Sequence, residues 1–207
     1  MNASDVFLLP GWHNSGPTHW QSRWEDVHGY MRVPQHDWER PLRGDWSMQL
    51  EEAVLASTPG VSPSLILVAH SLGCILLAAW AAHSRHTHRI KGALLVAPAD
   101  VEREALRALL PSWSPIVRQT LPFKSVLVAS GNDPFCTWEQ AQALAVDWGS
   151  ELVSGGNMGH INADADLDDW PQGHALLQRL QAGQDQTMET EGRGSCGSEL
   201  KRGNNGY

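Results

Sequence analysis

Short, solid apolar runs alternate along this chain with longer stretches in which apolar residues recur three and four positions apart. Runs of the first kind are too short for helices. With apolar side chains on both alternating faces, they fit strands buried on either side of a parallel sheet. Candidate strands are 5–9, 31–35, 64–69, 92–96, 125–129 and 151–154, and the helical period falls near 20–27, 45–55, 72–83, 137–148 and 171–180. Strand followed by helix, repeated, predicts an α/β architecture of about six parallel strands flanked by helices. No internal repeat interrupts it.

The pattern stops near residue 182. From there "AGQDQTMETEGRGSCGSELKRGNNGY" carries almost no large apolar residue and no period. Such a segment cannot bury enough surface to offset its ordering entropy. The 207 residues therefore divide into one folded domain, 1–181, and a tail, 182–207, expected to be disordered. A chain of this length suits one α/β domain.

Charge narrows the classes further. The formal net charge is −8, with no block of Lys and Arg to face phosphates, so nucleic acid is not an expected partner. The apolar run Val6–Leu9 is too short for a signal-peptide core, and no stretch approaches a membrane span. Cys74, Cys136 and Cys196 form neither a metal-ligand spacing nor a disulfide framework, as expected of a protein in a reducing cytoplasm. The histidines of "HSRHTHRI" (His83, His86, His88) and the acidic run Asp164, Asp166, Asp168 and Asp169 fit solvated turns better than metal sites, so neither metal nor cofactor is expected.

In parallel sheets, ligands bind beyond the carboxyl ends of the strands. Three of those positions carry groups that can do chemistry together. In "LILVAHSLGCILLAAWA", Ser71 falls on the turn between a buried strand and a helix, flanked two residues away by Ala69 and Gly73. Small-x-Ser-x-small at that bend is the pattern of a nucleophile elbow, although a serine there also serves as a helix N-cap. Asp133 follows the fifth strand in "SGNDPF", where Asp is also a good turn residue, and His160 follows the sixth on the Gly-rich "GGNMGH" loop. Each has a plain reading alone. All three at one edge of the sheet make a Ser-Asp-His triad, in the chain order of the α/β-hydrolases.

A serine hydroxyl attacks a carbonyl well only when a base takes its proton, the role that falls to His160, with Asp133 fixing its tautomer. The oxyanion then needs backbone N–H donors. One comes from the residue after the nucleophile, Leu72, and another from the loop after the first strand, where Gly11 makes the turn and Trp12 follows. Trp12, His13 and His70 are the candidate substrate contacts. Most of the ten tryptophans are expected in the core, with Trp12 a candidate pocket wall whose indole N–H could orient a ligand.

The segments "LPGWHNSGPTHWQSRWE", "QHDWERPLRGDW", "LVAHSLGCILLAAWA", "GALLVAPADVE", "LPFKSVLVASGNDPF", "ALAVDWGSELV" and "GHINADADLDDWPQG", in that order across about 5–180, resemble the small serine hydrolases related to retinoblastoma-binding protein 9 and to YdeN of bacilli. The resemblance implies a compact α/β-hydrolase fold without a large lid domain, and a triad of Ser71, Asp133 and His160. One departure follows His160. Members of that family commonly have Ser-Gly-x-Gly before the Trp-Pro pair, where this chain has Ala165, Asp166, Leu167 and Asp168. Nor does the resemblance imply retinoblastoma-protein binding, which is associated with a Leu-x-Cys-x-Glu peptide; the nearest match, 72–76, ends in Leu76 within a predicted helix.

Together these readings predict a cofactor-free serine hydrolase acting on a small carboxylic ester or related acyl substrate. Its activity should fall as His160 becomes protonated. The same triad permits amide, short-peptide or thioester cleavage, and a hydrolase scaffold can also serve as a binding protein without turnover.

Overall fold

Six of the apolar runs pair side by side into one parallel sheet in the computed structural model, which describes residues 5–57 and 63–183. The strands are β1 (Val6–Leu9), β2 (Met31–Arg32), β3 (Leu65–His70), β4 (Ile90–Val96), β5 (Lys124–Ala129) and β6 (Glu151–Ser154). Their order is β2-β1-β3-β4-β5-β6, so β3 sits inside the sheet. Register aligns Leu8 with Val68, Val68 with Leu94 and Leu94 with Val126.

Helices cover both faces. They are α1 (Trp20–His28), α2 (Arg43–Ala56), α3 (Leu72–Ala81), α4 (Glu104–Leu109), α5 (Trp138–Trp148) and α6 (Pro171–Ala182). Side chains alternate along β3, so Leu65, Leu67 and Ala69 join one core with Trp46 and Leu50 of α2, Ile75 of α3 and Leu144 and Trp148 of α5. Ile66 and Val68 point the other way, to Trp20 and Trp24 of α1 and Trp170, Leu177 and Leu180 around α6. Every residue of β3 is buried. Its Leu, Ile and Val side chains each contribute about 1.5–3 kcal/mol by leaving water, so the strand that leads into Ser71 is firmly held.

Helix and strand order follow the sequence pattern, with three informative differences. Strand β2 stops at Arg32 instead of 35: Val33 still donates its N–H to the Leu8 carbonyl, but Pro34 has no N–H with which to continue on this edge strand. Helix α4 was not foreseen. It is six residues long with none buried, too short to show a period. Helix α3 ends at Ala81, short of 83, where the Ser84 and His86 side chains bond to Glu51 of α2. The C-terminal helix is closed by Gly183, and of the expected tail, 182–207, residues 184–207 lie outside the described residues, as does Cys196. Among the described residues no helix is long and apolar enough to cross a membrane.

Candidate active site

Ser71 occupies the one-residue bend between β3 and α3 with φ 54° and ψ −119°, a region that non-glycine residues rarely visit and that costs about 1–3 kcal/mol. Its N–H donates to the Val96 carbonyl at 3.0 Å, which ties the bend to the neighbouring strand. The glycine two residues on is required by contact with β1, not by crowding against Ala69. A Cβ at Gly73 would lie 2.2 Å from the Leu9 carbonyl oxygen. That close approach brings the loop after β1 against the serine, where a Cβ on Gly11 would meet Ser71 Cβ at 2.7 Å.

The remaining two groups arrive from β5 and β6. His160 Nε2 lies 2.8 Å from Ser71 Oγ, and its Nδ1 lies 2.9 Å from both carboxylate oxygens of Asp133. A carboxylate only accepts, so Nδ1 carries the proton, and the bare Nε2 accepts from the serine hydroxyl. Asp133 also accepts the Phe135 N–H at 2.8 Å, and its side chain is only 2% exposed. A serine, an imidazole and a buried carboxylate in this line can transfer the hydroxyl proton to the ring while the carboxylate stabilises the resulting cation.

Trp12 and Leu72, whose N–H groups are the expected oxyanion donors, line the same cleft. In the loop after β1, the His13 and Asn14 N–H groups are taken by the Trp38 and Gly11 carbonyls, whereas the Trp12 N–H has no acceptor among the described residues. Leu72 is the first residue of α3, where N–H groups have no partner within the helix and the helix dipole favours negative charge.

Trp12, His13 and His70 all line the cleft over Ser71, which has a volume of about 310 Å³. Their polar edges are largely engaged. Trp12 Nε1 donates to the Glu39 carbonyl and so is not turned to a ligand, and His13 Nδ1 lies 3.0 Å from the Glu39 carboxylate. His70 Nε2 lies 2.9 Å from the His160 carbonyl, which must accept from it. Burial drives the His70 pKa well below that of a free imidazole. His70 is thus a neutral donor that holds the backbone of His160.

Sequence reasoning missed the supports of the histidine loop. Ser130 accepts the Met158 N–H and donates to Asn132 Oδ1, which also accepts the Gly159 N–H. From the opposite side Trp20 Nε1 donates to the Ile161 carbonyl, Trp24 Nε1 to the Asp169 carbonyl, and Arg23 pairs with the Asp169 carboxylate. The "WQSRW" spacing was the available signal: two indoles four residues apart on one helix face, each with an N–H to satisfy. His19 was also missed. It caps α1 by accepting the Gln21 N–H at Nδ1, packs edge-on to His70, and burial pushes its pKa down to about 3.

The departure in the loop after His160 also has a structural answer. Asp166 and Asp168, at the family's glycine positions, adopt φ 45° and 49°. Asp tolerates this left-handed region better than most side chains, so these two positions adopt it without glycine.

Of the other thiols and histidines, Cys136 is buried and its pKa is pushed up to about 12, mainly by burial, while His86 is bonded to Glu51. Leu72, Cys74 and Leu76, within the 72–76 match, are buried in α3.

A parallel sheet with a strained serine after its third strand, and an imidazole–carboxylate pair supplied by later strand ends, defines the class as an α/β-hydrolase. Comparison with known proteins makes the family explicit: residues 6–179 match the model of the serine hydrolase family, and the chain belongs to that family. A YdeN-like hydrolase from Pectobacterium atrosepticum is 30% identical, with a TM-score of 0.74 over 86% of this chain and 90% of that one. The ydeN gene product of B. subtilis is 18% identical with a TM-score of 0.68, over 86% of this chain and 99% of that one. Esterase 2 of Thermogutta terrifontis, in its form phosphoramylated by tabun, shares the fold at 16% identity and a TM-score of 0.61, over 88% of this chain and 85% of that one. A search of curated proteins gives no match. The protein is an enzyme of the serine hydrolase class.

Proposed function

We propose that this chain hydrolyses small carboxylic esters through an acyl-enzyme on Ser71, with His160 as general base and acid and Asp133 as its orienting carboxylate. The observation that carries the reading is the unbroken hydrogen-bonded line from Ser71 Oγ through His160 to Asp133. As Oγ attacks the ester carbonyl carbon, its proton passes to His160 Nε2 and the carbonyl π electrons move onto oxygen. The resulting oxyanion is held by the N–H groups of Leu72 and Trp12. Collapse re-forms the carbonyl and expels the alcohol, which takes the proton from Nε2. A water molecule then repeats the sequence on the acyl-enzyme, releasing the acid and restoring the serine.

His70 supports this cycle by holding the His160 carbonyl, and its neutrality avoids a second cation beside the imidazolium that forms. The substrate partner is a small acyl compound.

The test is steady-state hydrolysis of matched ester, thioester and amide substrates by the wild type and Ser71→Ala. The proposal expects ester turnover that falls as the medium is acidified through the titration of the base, and none above background in the variant. Equal rates for the two proteins, or a flat profile through that titration, would contradict it.

A further inference from the structure

The cleft over Ser71 is sharply divided in character, and the division bears on which ester it takes. This inference rests on the function proposed above. A tetrahedral intermediate on Ser71 Oγ has three other substituents, and the surroundings differ for each. Its oxyanion faces the N–H groups of Trp12 and Leu72. Its leaving oxygen must face His160 Nε2, which returns the proton, so the alcohol lies beside Asn162 and Phe135, whose ring centroid is 4.6 Å from that of His160. What remains for the acyl chain is the wall formed by Ala99, whose N–H meets the Ser71 carbonyl at 3.4 Å, and by Leu106 of α4 and Leu110 just beyond it.

That wall is entirely apolar. No Asp, Glu, Lys or Arg lines any part of the cleft among the described residues; its ionisable side chains are histidines, and burial holds two of them, His19 and His70, neutral. The nearby arginines do not line it: Arg107 of α4 is exposed to solvent, and two others are bonded elsewhere. Arg32 is bonded to Glu25, Asn14, Ser15 and Ser22, and Arg103 donates to the Pro134 carbonyl. A carboxylate or ammonium on the acyl chain would thus lose its hydration with no charged partner to replace it. At about 310 Å³ the whole cleft is near the small end of the range for small-molecule sites, about 300–1,000 Å³.

We infer that α4 builds an acyl subsite for short, uncharged hydrocarbon chains, and that Leu106 sets the chain length accepted. Leu106 is half-buried and its helix has no buried residue, so substitution there changes the subsite with little demand on the core.

The experiment compares p-nitrophenyl acetate, butyrate, hexanoate and octanoate, together with p-nitrophenyl hemisuccinate, as substrates of the full chain and of Leu106→Ala and Leu106→Trp. A fluorophosphonate titration of each protein runs beside it, counting functional serines. Expected are a short-chain optimum, hemisuccinate slower than butyrate by about tenfold or more, an optimum moved to longer chains in Leu106→Ala, and butyrate lost relative to acetate by about tenfold in Leu106→Trp. An optimum that stays put in both variants, or a preference for hemisuccinate, overturns the subsite while normal Ser71 labelling leaves the hydrolase proposal standing. Wild type that takes no fluorophosphonate overturns both.

Discussion

A cavity of about 460 Å³ opens at the sheet edge between Phe7, Val33 and α2, whereas the cleft over Ser71 measures about 310 Å³. The first offers more room and holds Arg32 and Glu52, yet no histidine or cysteine lines it. The second lies where loops following β1, β3, β4, β5 and β6 converge, and each loop delivers a different chemical part. Space alone therefore does not mark the proposed active site in this fold. Parallel strands all end on one side, so loops far apart in sequence are brought together there.

Substitution of one residue in each cavity tests that contrast most severely. Ser71→Ala should lower kcat for ester hydrolysis by about 10⁴–10⁶-fold. Ala56→Trp, which fills the edge cavity, should leave kcat/KM within about twofold; comparable losses from both would break the comparison. Asp133→Asn comes next, with kcat reduced about 10⁴-fold because the ring would be held in the wrong tautomer. A normal thermal transition in that variant would separate this loss from misfolding.

Acid should also act on the cleft through its buried histidines. When the chain is unfolded, each imidazole binds a proton below about pH 6.5, whereas folded His19 does so only near about 3 and folded His70 well below the free value. Between those limits the unfolded state holds more protons, so stability falls as pH drops from about 6.5, by about 1.4 kcal/mol per pH unit for each histidine. Urea midpoints at pH 7 and 5 measure the slope, and His19→Gln should reduce it by about one histidine's share. An unchanged slope would mean that His19 is charged in the folded protein.

Two smaller effects probe how the histidine loop is held. Trp20→Phe keeps an aromatic ring but loses the pyrrole half of the buried indole and leaves the buried Ile161 carbonyl without its donor. It should cost about 1–3 kcal/mol in thermal or urea unfolding and up to about 10² in kcat if His160 shifts by about 1 Å. Asp166→Gly removes a left-handed Asp that is exposed and should raise stability by about 0.5–1 kcal/mol with activity unchanged. A loss of stability there would mean that the Asp side chain supports the turn.

What the sequence disclosed follows the same divide between local and distant causes. The elbow at Ser71 was legible because its determinants lie within a dozen residues: an apolar strand, a bend and an Ala-rich helix. Asp133 and His160 were legible as strand-end residues, although their meeting depends on strand order that the residues do not spell out. The loop supports were not. Trp20 reaches Ile161 across 141 residues, and Asn132 reaches Gly159 across 27, so no local pattern announces either bond.

The tryptophans show what was half visible. Seven of the ten indole N–H groups donate to loop carbonyls or to Glu51, so the unusual Trp content fastens loops to the two cores. Their burial was predictable from size and polarity. Which loop each one held was not. Helix α4, the proposed acyl wall, escaped for a different reason: six residues with no buried side chain leave no periodic trace.

The most direct test of the account is intact mass after fluorophosphonate treatment of the wild type, Ser71→Ala, Asp133→Asn and His160→Ala. The account predicts one adduct on the wild type, none on Ser71→Ala, and labelling slowed strongly in His160→Ala and less so in Asp133→Asn. An adduct that persists in Ser71→Ala, or folded wild-type protein that takes none, would contradict the central claim that His160 activates Ser71.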